Sequence, residues 1–345
     1  MALLSSTNLT LADWAKLFDP DGKLAVITNV LSQTNEILED CVFKQANGKT
    51  HHRVTIATGL PAVYWRQINQ GIPPSKQTTA QVDEGIGMLE ARSETDCVLA
   101  RLSGDVGKFR MSAALSHMES MGQTQARTMF YGNTTTQPAS YLGLSDRFGV
   151  ASGAANSQNV LLGGSLGGQT DNMSVWLVGW GDETVYCTFP EGSQAGLIHQ
   201  NLGEQTVYGA GGVAANRMQA FVDLYQWHHG MVVQDWRYVV RIANLDAGDA
   251  NTLGGFQSPT DLNNILHQMV KAVYRVPNLN MCRPAFYVNR LAHSALSRIA
   301  MEKSQTALAL QSGLTQFGSP TNYLTCLGIP IRRCDTLAVN ETRVV

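Results

Sequence analysis

The stretch Val175-Trp-Leu-Val-Gly-Trp-Gly181 decides how this chain is read. Val175 to Val178 are apolar without interruption and are flanked by Gly and Asp, the pattern of a buried strand. A second such run, Val185 to Phe189, lies within Thr184-Val-Tyr-Cys-Thr-Phe-Pro-Glu-Gly-Ser-Gln-Ala-Gly-Leu197. Upstream stands Phe130-Tyr-Gly-Asn133. Downstream, Trp227-His-His-Gly230 leads into Asp235-Trp-Arg-Tyr-Val-Val-Arg-Ile-Ala-Asn244. None of these segments is composed like a reaction centre.

Working outward, Met218, Ala220, Val222 and Leu224 recur at every second position, and Trp236, Tyr238, Val240 and Ile242 alternate against Arg237, Val239 and Arg241. The two runs are long enough to pair as one antiparallel ribbon around His228-His-Gly230. Ser258-Pro259 with Asp261 starts a helix, Pro being suited to its first position. Its apolar stripe is Leu262, Ile265, Leu266, Met269, Val270 and Val273. Phe286-Tyr-Val-Asn289 reads as a short strand entering a helix capped by Asn289. Leu327-Gly-Ile-Pro-Ile331 and Asp335 to Val339 read as closing strands.

Toward the N-terminus, Leu102, Val106, Phe109, Ala113, Met118 and Met121 mark a long amphipathic helix ending near Thr128. Gly104 and Gly107 weaken its start and favour a bend there. Before it, His52, Val54 and Ile56 alternate with Arg53, Thr55 and Ala57, and Lys76 to Val82 is a second strand candidate. Pro61, Trp65, Gly71 and Pro73-Pro74 separate the two as an irregular tip. Such an arm cannot bury its own faces and must lie on something else. A neighbouring copy of the same chain is the simplest candidate. The first ~45 residues read as two helices. Thr10 and Asp13 form a capping-box-like start ahead of Leu11, Trp14, Leu17 and Phe18, and Leu24, Ile27, Leu31, Ile37 and Leu38 follow. The alternation of long helices with antiparallel ribbons is α+β.

Composition points the same way. Among 345 residues, 32 are Gly and only 15% are charged, with a net charge of −2. Charged residues usually make up about 25% of a chain, so much of this surface is free to contact protein. No window is apolar enough to span a bilayer, and Met-Ala-Leu-Leu-Ser-Ser does not read as a secretory signal. The six Cys are scattered without a C-x-x-C pair, as expected of reduced thiols made in a cytoplasm. Arg332-Arg333, and Lys49 with Arg53, are too sparse for a nucleic-acid patch.

Motifs that could carry chemistry are weak. Gly163-Gly-Ser-Leu-Gly167 matches a nucleophile elbow around Ser165, but turn-forming Gly168-Gln-Thr-Asp-Asn172 stands where a helix is needed. His228 and His229, like His51 and His52, are adjacent, and adjacent strand residues point to opposite faces. Gly209-Ala-Gly-Gly212 lacks the Lys of a phosphate loop. Asp246, Asp249 and Asn251 lack the Gly and closing Glu of a calcium loop. The expectation is no enzyme, no cofactor and no metal, with a serine hydrolase at Ser165 as the low alternative.

Taken in order, the Phe-Tyr-Gly-Asn, Trp-Leu-Val-Gly-Trp-Gly, Phe-Pro-Glu-Gly-Ser and Leu-Gly-Ile-Pro-Ile pieces resemble the major capsid protein family of tailed bacteriophages. Within it they look most like the short-tailed epsilon15-type group. The resemblance spans most of the chain. It implies an HK97-like fold: an N-terminal arm at 1–45, an E-loop at 46–92, a peripheral domain at 93–130 and 215–245, and an axial domain at 131–214 and 246–345. The spine helix of the peripheral domain would be about 96–128. It implies hexamers and pentamers in an icosahedral shell of a virion, assembled in the bacterial host cytoplasm around double-stranded DNA held without sequence reading. Portal, scaffolding and decoration proteins are the further partners it implies. An encapsulin-type compartment shares the fold and is the alternative. On the arm, Lys49, Arg53, Trp65, Arg66 and Lys76 are the candidates for contact between subunits. Nothing identifies a partner Asn or a catalytic acid for a Lys crosslink, and none is expected.

Overall fold

The computed structural model describes residues 32–163, 171–208, 217–247, 265–301, 308–314 and 320–345. The N-terminal helices as far as Leu31, Ser165, Gly209–Gly212, Asp249, Asn251 and the Ser258-Pro259 helix start lie outside the described residues. Of the second N-terminal helix, expected to reach Asp40, residues 32–36 are not helical and only Ile37–Asp40 is.

The chain divides into two units. The larger holds Thr34–Gly87, Ala126–Ala195 and His229–Val345. Its centre is β5 (Asn172–Trp180), in which all nine residues are buried. The reason is visible in the alternation. Met173, Val175 and Leu177 enter one core, and Trp176, Val178 and Trp180 enter the other. A strand with apolar side chains on both faces is stable only with a layer on each. One layer is α5 (Ile265–Arg275) and α6 (Arg290–Met301), through Ile265, Met269, Ala295 and Ile299. The other is built by Ile37 of α1 (Ile37–Asp40), Leu144 of α4 (Leu144–Arg147), and Met129, Phe130, Tyr141 and Phe148.

Antiparallel neighbours flank β5. β9 (Val239–Asp246) pairs Val178 with Val239, and β10 (Arg283–Val288) pairs Leu177 with Phe286. Parallel β4 (Val160–Leu162) extends β9, and β13 (Ile329–Arg333) extends β10. The second buried run of the sequence is β6 (Val185–Phe189), parallel to β1 (Phe43–Gln45) with Cys187 opposite Phe43. β12 (Pro320–Cys326) joins β13 through Leu327-Gly328, and β11 (Leu308–Leu314) pairs with β12. Leu327 has φ 50° and Gly328 φ 83°, so this is a tight hairpin turn with both central residues left-handed. The expected strand at Leu327 is therefore a turn leading into one. Asp335 to Val339 is not a strand: Asp335 instead grips Arg333 at 2.6 and 2.7 Å and accepts the Thr34 N–H at 3.2 Å.

A buried ionic knot ties the quoted motifs together. Glu341 pairs with Arg241 at 2.8 Å, the two side chains 5% and 3% exposed. Ser174 of β5 and Tyr131 of the Phe-Tyr-Gly-Asn segment both donate hydroxyls to Glu341. Arg241 also donates to Ser174 at 3.1 Å and to the Phe148 carbonyl at 2.9 Å, and lies 5.0 Å over the Trp176 ring. Burial, reinforced by the Glu341 charge, pushes the Tyr131 hydroxyl far up, so it stays a donor. Gly132 is required by close approach: a Cβ there would collide with the Tyr141 and Thr128 carbonyls.

The smaller unit holds, among the described residues, Ser32 and Gln33 with stretches of Met88–Gln125 and Gly196–His228. β7 (Leu197–Tyr208) and β8 (Arg217–Val233) pair from Leu197 with Trp227 to Tyr208 with Arg217. This corrects the expected ribbon: β8 pairs with β7, not β9. His228-His-Gly230 lies inside β8, because its pairing runs on to Val233, opposite Val185 of β6, and the chain turns only at Gln234 and Asp235. The long helix is also in two pieces. α2 (Cys97–Leu102) is capped by the Asp96 carboxylate and stops where Gly104 adopts φ 78°. Asp105 then accepts the Lys108 N–H and starts α3 (Val106–Tyr131). Phe109 and Met121 are buried as the stripe requires, whereas Leu102 is exposed. Arg110 fixes α3 to β8 through both oxygens of Asp223, at 2.7 and 3.2 Å.

Candidate assembly interface

Within the larger unit, β2 (His51–Gly59) pairs antiparallel with the first part of β3 (Thr78–Asp96), from His51 opposite Gly85 to Gly59 opposite Thr78. The root of this arm is anchored. His52 and Val54 are buried and Ile56 half-buried, as the alternation requires, while Arg53, Thr55 and Ala57 are exposed. Val54 packs on Tyr186 and Val232. His52 Nδ1 accepts the Asn47 N–H at 3.2 Å, so its Nε2 carries the proton toward Tyr186 Oη at 3.0 Å. Burial, then the nearby Lys44 charge, lowers the His52 pKa and keeps the ring neutral. Burial and the Glu84 charge push the Tyr186 hydroxyl up to about 12. Glu84 itself is buried and receives both Arg147 nitrogens, at 2.5 and 2.6 Å. That fork is the firmest hold on the root.

Beyond the root the anchoring stops. Every residue from Leu60 to Asp83 is exposed. Leu60, Val63, Trp65 and Ile68 show 89, 91, 103 and 92% of their surface to solvent. Pro61, Pro73 and Pro74 restrict the backbone here. Ser75 donates to the Ala62 carbonyl at 2.7 Å, Arg66 to the Gln70 carbonyl at 2.8 Å, and Asn69 turns the chain with φ 68°. The tip thus has local shape but no core. These side chains are apolar and uncovered, and each would contribute about 1.5–3 kcal/mol if buried against a partner.

The five expected contact residues fall into two groups. Trp65, Arg66 and Lys76 lie on the exposed distal part. Lys49 stands exposed in the turn before β2, and Arg53 is forked onto Asp83 across the strand pair at 2.6 and 2.7 Å. The sequence reading missed Leu60, Val63, Ile68 and Ile72, which follow no period and gain meaning only where the strand pairing ends. It also missed Glu84, Arg147 and Tyr186, whose partners are distant in sequence.

Ser165, the residue of the rival reading, lies outside the described residues. They contain no group of three His, Cys, Asp or Glu able to hold a metal ion. His229 packs against the rings of Phe43 and Tyr141. No helix among them is long and apolar enough to cross a membrane.

Comparison with known proteins bears on the family and the fold. A search of curated protein sequences finds no match. A chain from the cryo-EM structure of bacteriophage Epsilon15 is similar, at 27% identity and a TM-score of 0.76, covering 100% of this chain and 99% of that one. The capsid of bacteriophage JBD30 shares the fold at 10% identity and a TM-score of 0.51, covering 97% and 99%. An encapsulin complex from Synechococcus elongatus is similar at 11% identity and a TM-score of 0.44, over 71% and 97%. The fold is the HK97-like fold of phage capsids. The profile of the family described as major capsid protein GP7 matches residues 19–345, and the chain therefore belongs to that family, a structural subunit of a bacteriophage capsid.

Proposed function

We propose that this chain builds an icosahedral shell of hexamers and pentamers in which the arm of each copy lies on a neighbouring copy. The observation that carries this reading is the run of exposed residues from Leu60 to Asp83, apolar at its tip and fastened only at its root. The family makes self-association the role of the chain, and the tip is an apolar surface that the described residues of a lone subunit leave uncovered. Repeated around a rotation axis, such a heterologous contact closes a ring. The shell would enclose double-stranded DNA without sequence-specific contact, in keeping with the sparse positive charge, and would be assembled in the bacterial host cytoplasm. Portal, scaffolding and decoration proteins are its proposed further partners. The role is structural and not enzymatic.

The test replaces residues 60–77 by an Asn-Gly turn joining β2 to β3. The expected outcome is a soluble, folded subunit that forms no shells in the electron microscope. Shells of normal size and yield from this variant would overturn the reading. The contents of purified wild-type shells separate a DNA container from an encapsulin-type compartment: nucleic acid in the first, packaged protein in the second.

A further inference from the structure

α3 carries two apolar faces. One, with Phe109, Arg110 and His117, meets the β7–β8 pair: Phe109 is buried, Arg110 grips Asp223, and His117 stacks on Tyr225 at 5.9 Å. The other lies across the helix. Met111, Leu115, Met118 and Gly122, spaced four, three and four residues apart, share one stripe. Met111 and Leu115 are 63 and 57% exposed, and Met118 and Gly122 are half-buried. Gly122 costs the helix up to about 1 kcal/mol relative to Ala, yet a Cβ placed on it would meet open space. Nothing packed on the described chain requires a glycine there, whereas a closely seated segment would.

The start of the described chain reaches the edge of this stripe. Gln33 donates its backbone N–H to Glu119 Oε1 at 3.0 Å, and Gln123 holds that same oxygen at 2.7 Å. Glu119 follows Met118 and lies one helical turn from Leu115. The chain before Ser32 carries Leu11, Trp14, Leu17, Phe18, Leu24, Ile27 and Leu31 at near-helical spacing. From Glu119 to Met111 the helix rises about 12 Å, a span that four extended residues cover.

We propose that the Met111–Leu115–Met118–Gly122 face of α3 is the seat of the apolar stripe of residues 11–31 of the same chain. The tether at Glu119 sets the occupant. It presents this segment to the stripe at an effective concentration on the order of millimolar, which a separate copy in dilute solution does not match. The proposal is independent of where the arm docks.

The experiment places the photo-crosslinking residue p-benzoylphenylalanine at position 115 of the full chain. Subunits grown in natural-abundance and in nitrogen-15 medium are mixed and irradiated, and the crosslinked peptides are identified by mass spectrometry. Crosslinks into residues 11–31 that always join peptides of one isotope are expected. Mixed-isotope pairs would assign the face to a second copy and overturn the proposal, as would crosslinks elsewhere or none. As a second measurement, Leu115→Asp changes an exposed side chain. Tryptic cleavage after Lys16 and Lys23 should then accelerate by about tenfold or more, with cleavage after Arg66 unchanged. An unchanged rate at Lys16 and Lys23 would also overturn it.

Discussion

β5 and the arm tip place apolar side chains in opposite ways. Along β5, Val175 to Val178 are fully buried, one face to each core of the larger unit. At the tip, Leu60, Val63, Trp65 and Ile68 are nearly as exposed as in an extended chain. The same hydrophobic driving force acts on both. On β5 it is satisfied within the subunit, and at the tip no described residue of the subunit satisfies it. A chain whose role is to assemble needs both kinds of surface. The difference between them is a prediction about which substitutions unfold the subunit and which only disable the shell.

The comparison breaks most sharply at Glu341. Glu341→Ala leaves Arg241 buried without its counter-charge and should cost the subunit about 3–5 kcal/mol. Urea unfolding of the unassembled protein measures this, and a loss below about 1 kcal/mol, the worth of an ordinary surface pair, would show that the knot is dispensable.

A smaller effect is expected at Asp335. Burial pushes its carboxyl up, but the Arg333 guanidinium and the Thr34 N–H outweigh this and hold it below the usual carboxylate range. Its contribution is therefore full above the unfolded value of about 3.9 and is lost as the pH falls through the depressed folded value. Asp335→Asn should remove about 1–2 kcal/mol at pH 7 and flatten the acid limb of the stability curve. Thermal melts from acid to neutral pH read both.

Leu327→Asn should act in the other direction. Leu327 is left-handed and half-exposed, so replacing it relieves strain while giving up little packing. A gain of about 1 kcal/mol is expected. An unchanged melting temperature would mean that the turn carries no strain.

The smallest effect on the subunit belongs to Trp65→Ala. With Trp65 fully exposed, stability should move by less than about 0.5 kcal/mol, while sedimentation should show a reduced yield of shells. A marked destabilisation of the lone subunit would place Trp65 in an intramolecular contact and erase the contrast between tip and central strand.

What the sequence revealed follows the range of the forces involved. The buried run around Val175, the alternation on β2, the buried Phe109 and the Asn289 cap, whose Oδ1 accepts the Leu291 N–H at 2.8 Å, depend on near neighbours and were legible. Partner choice was not. β8 has the length and alternation to pair with either flanking strand, and only the register with β7 decides. Asp335 to Val339 had strand-like composition, but the Asp335 carboxylate found Arg333 and the Thr34 N–H instead. For the candidate interface, the existence of an arm was legible because nothing nearby in sequence could cover it. Its apolar tip was only partly so: Trp65 stood out, while Leu60, Val63 and Ile68 follow no period. The Glu84–Arg147 hold on the root joins residues 63 positions apart and leaves no local signature.

The ionic knot also has a consequence in time. Arg241 and Glu341 are separated by 100 positions, and so are Asn244 and Val344, which exchange two hydrogen bonds. At a synthesis rate of about 5–20 residues per second, Glu341 is made roughly 5–20 s after Arg241. Throughout that interval the guanidinium has no carboxylate to meet and the sheet around Ser174 cannot close dry. The larger unit therefore matures only after its distant segment is made, which delays the appearance of finished subunits until each nascent chain has advanced that far. A clock of this kind would keep neighbouring chains on one messenger from associating while half-built.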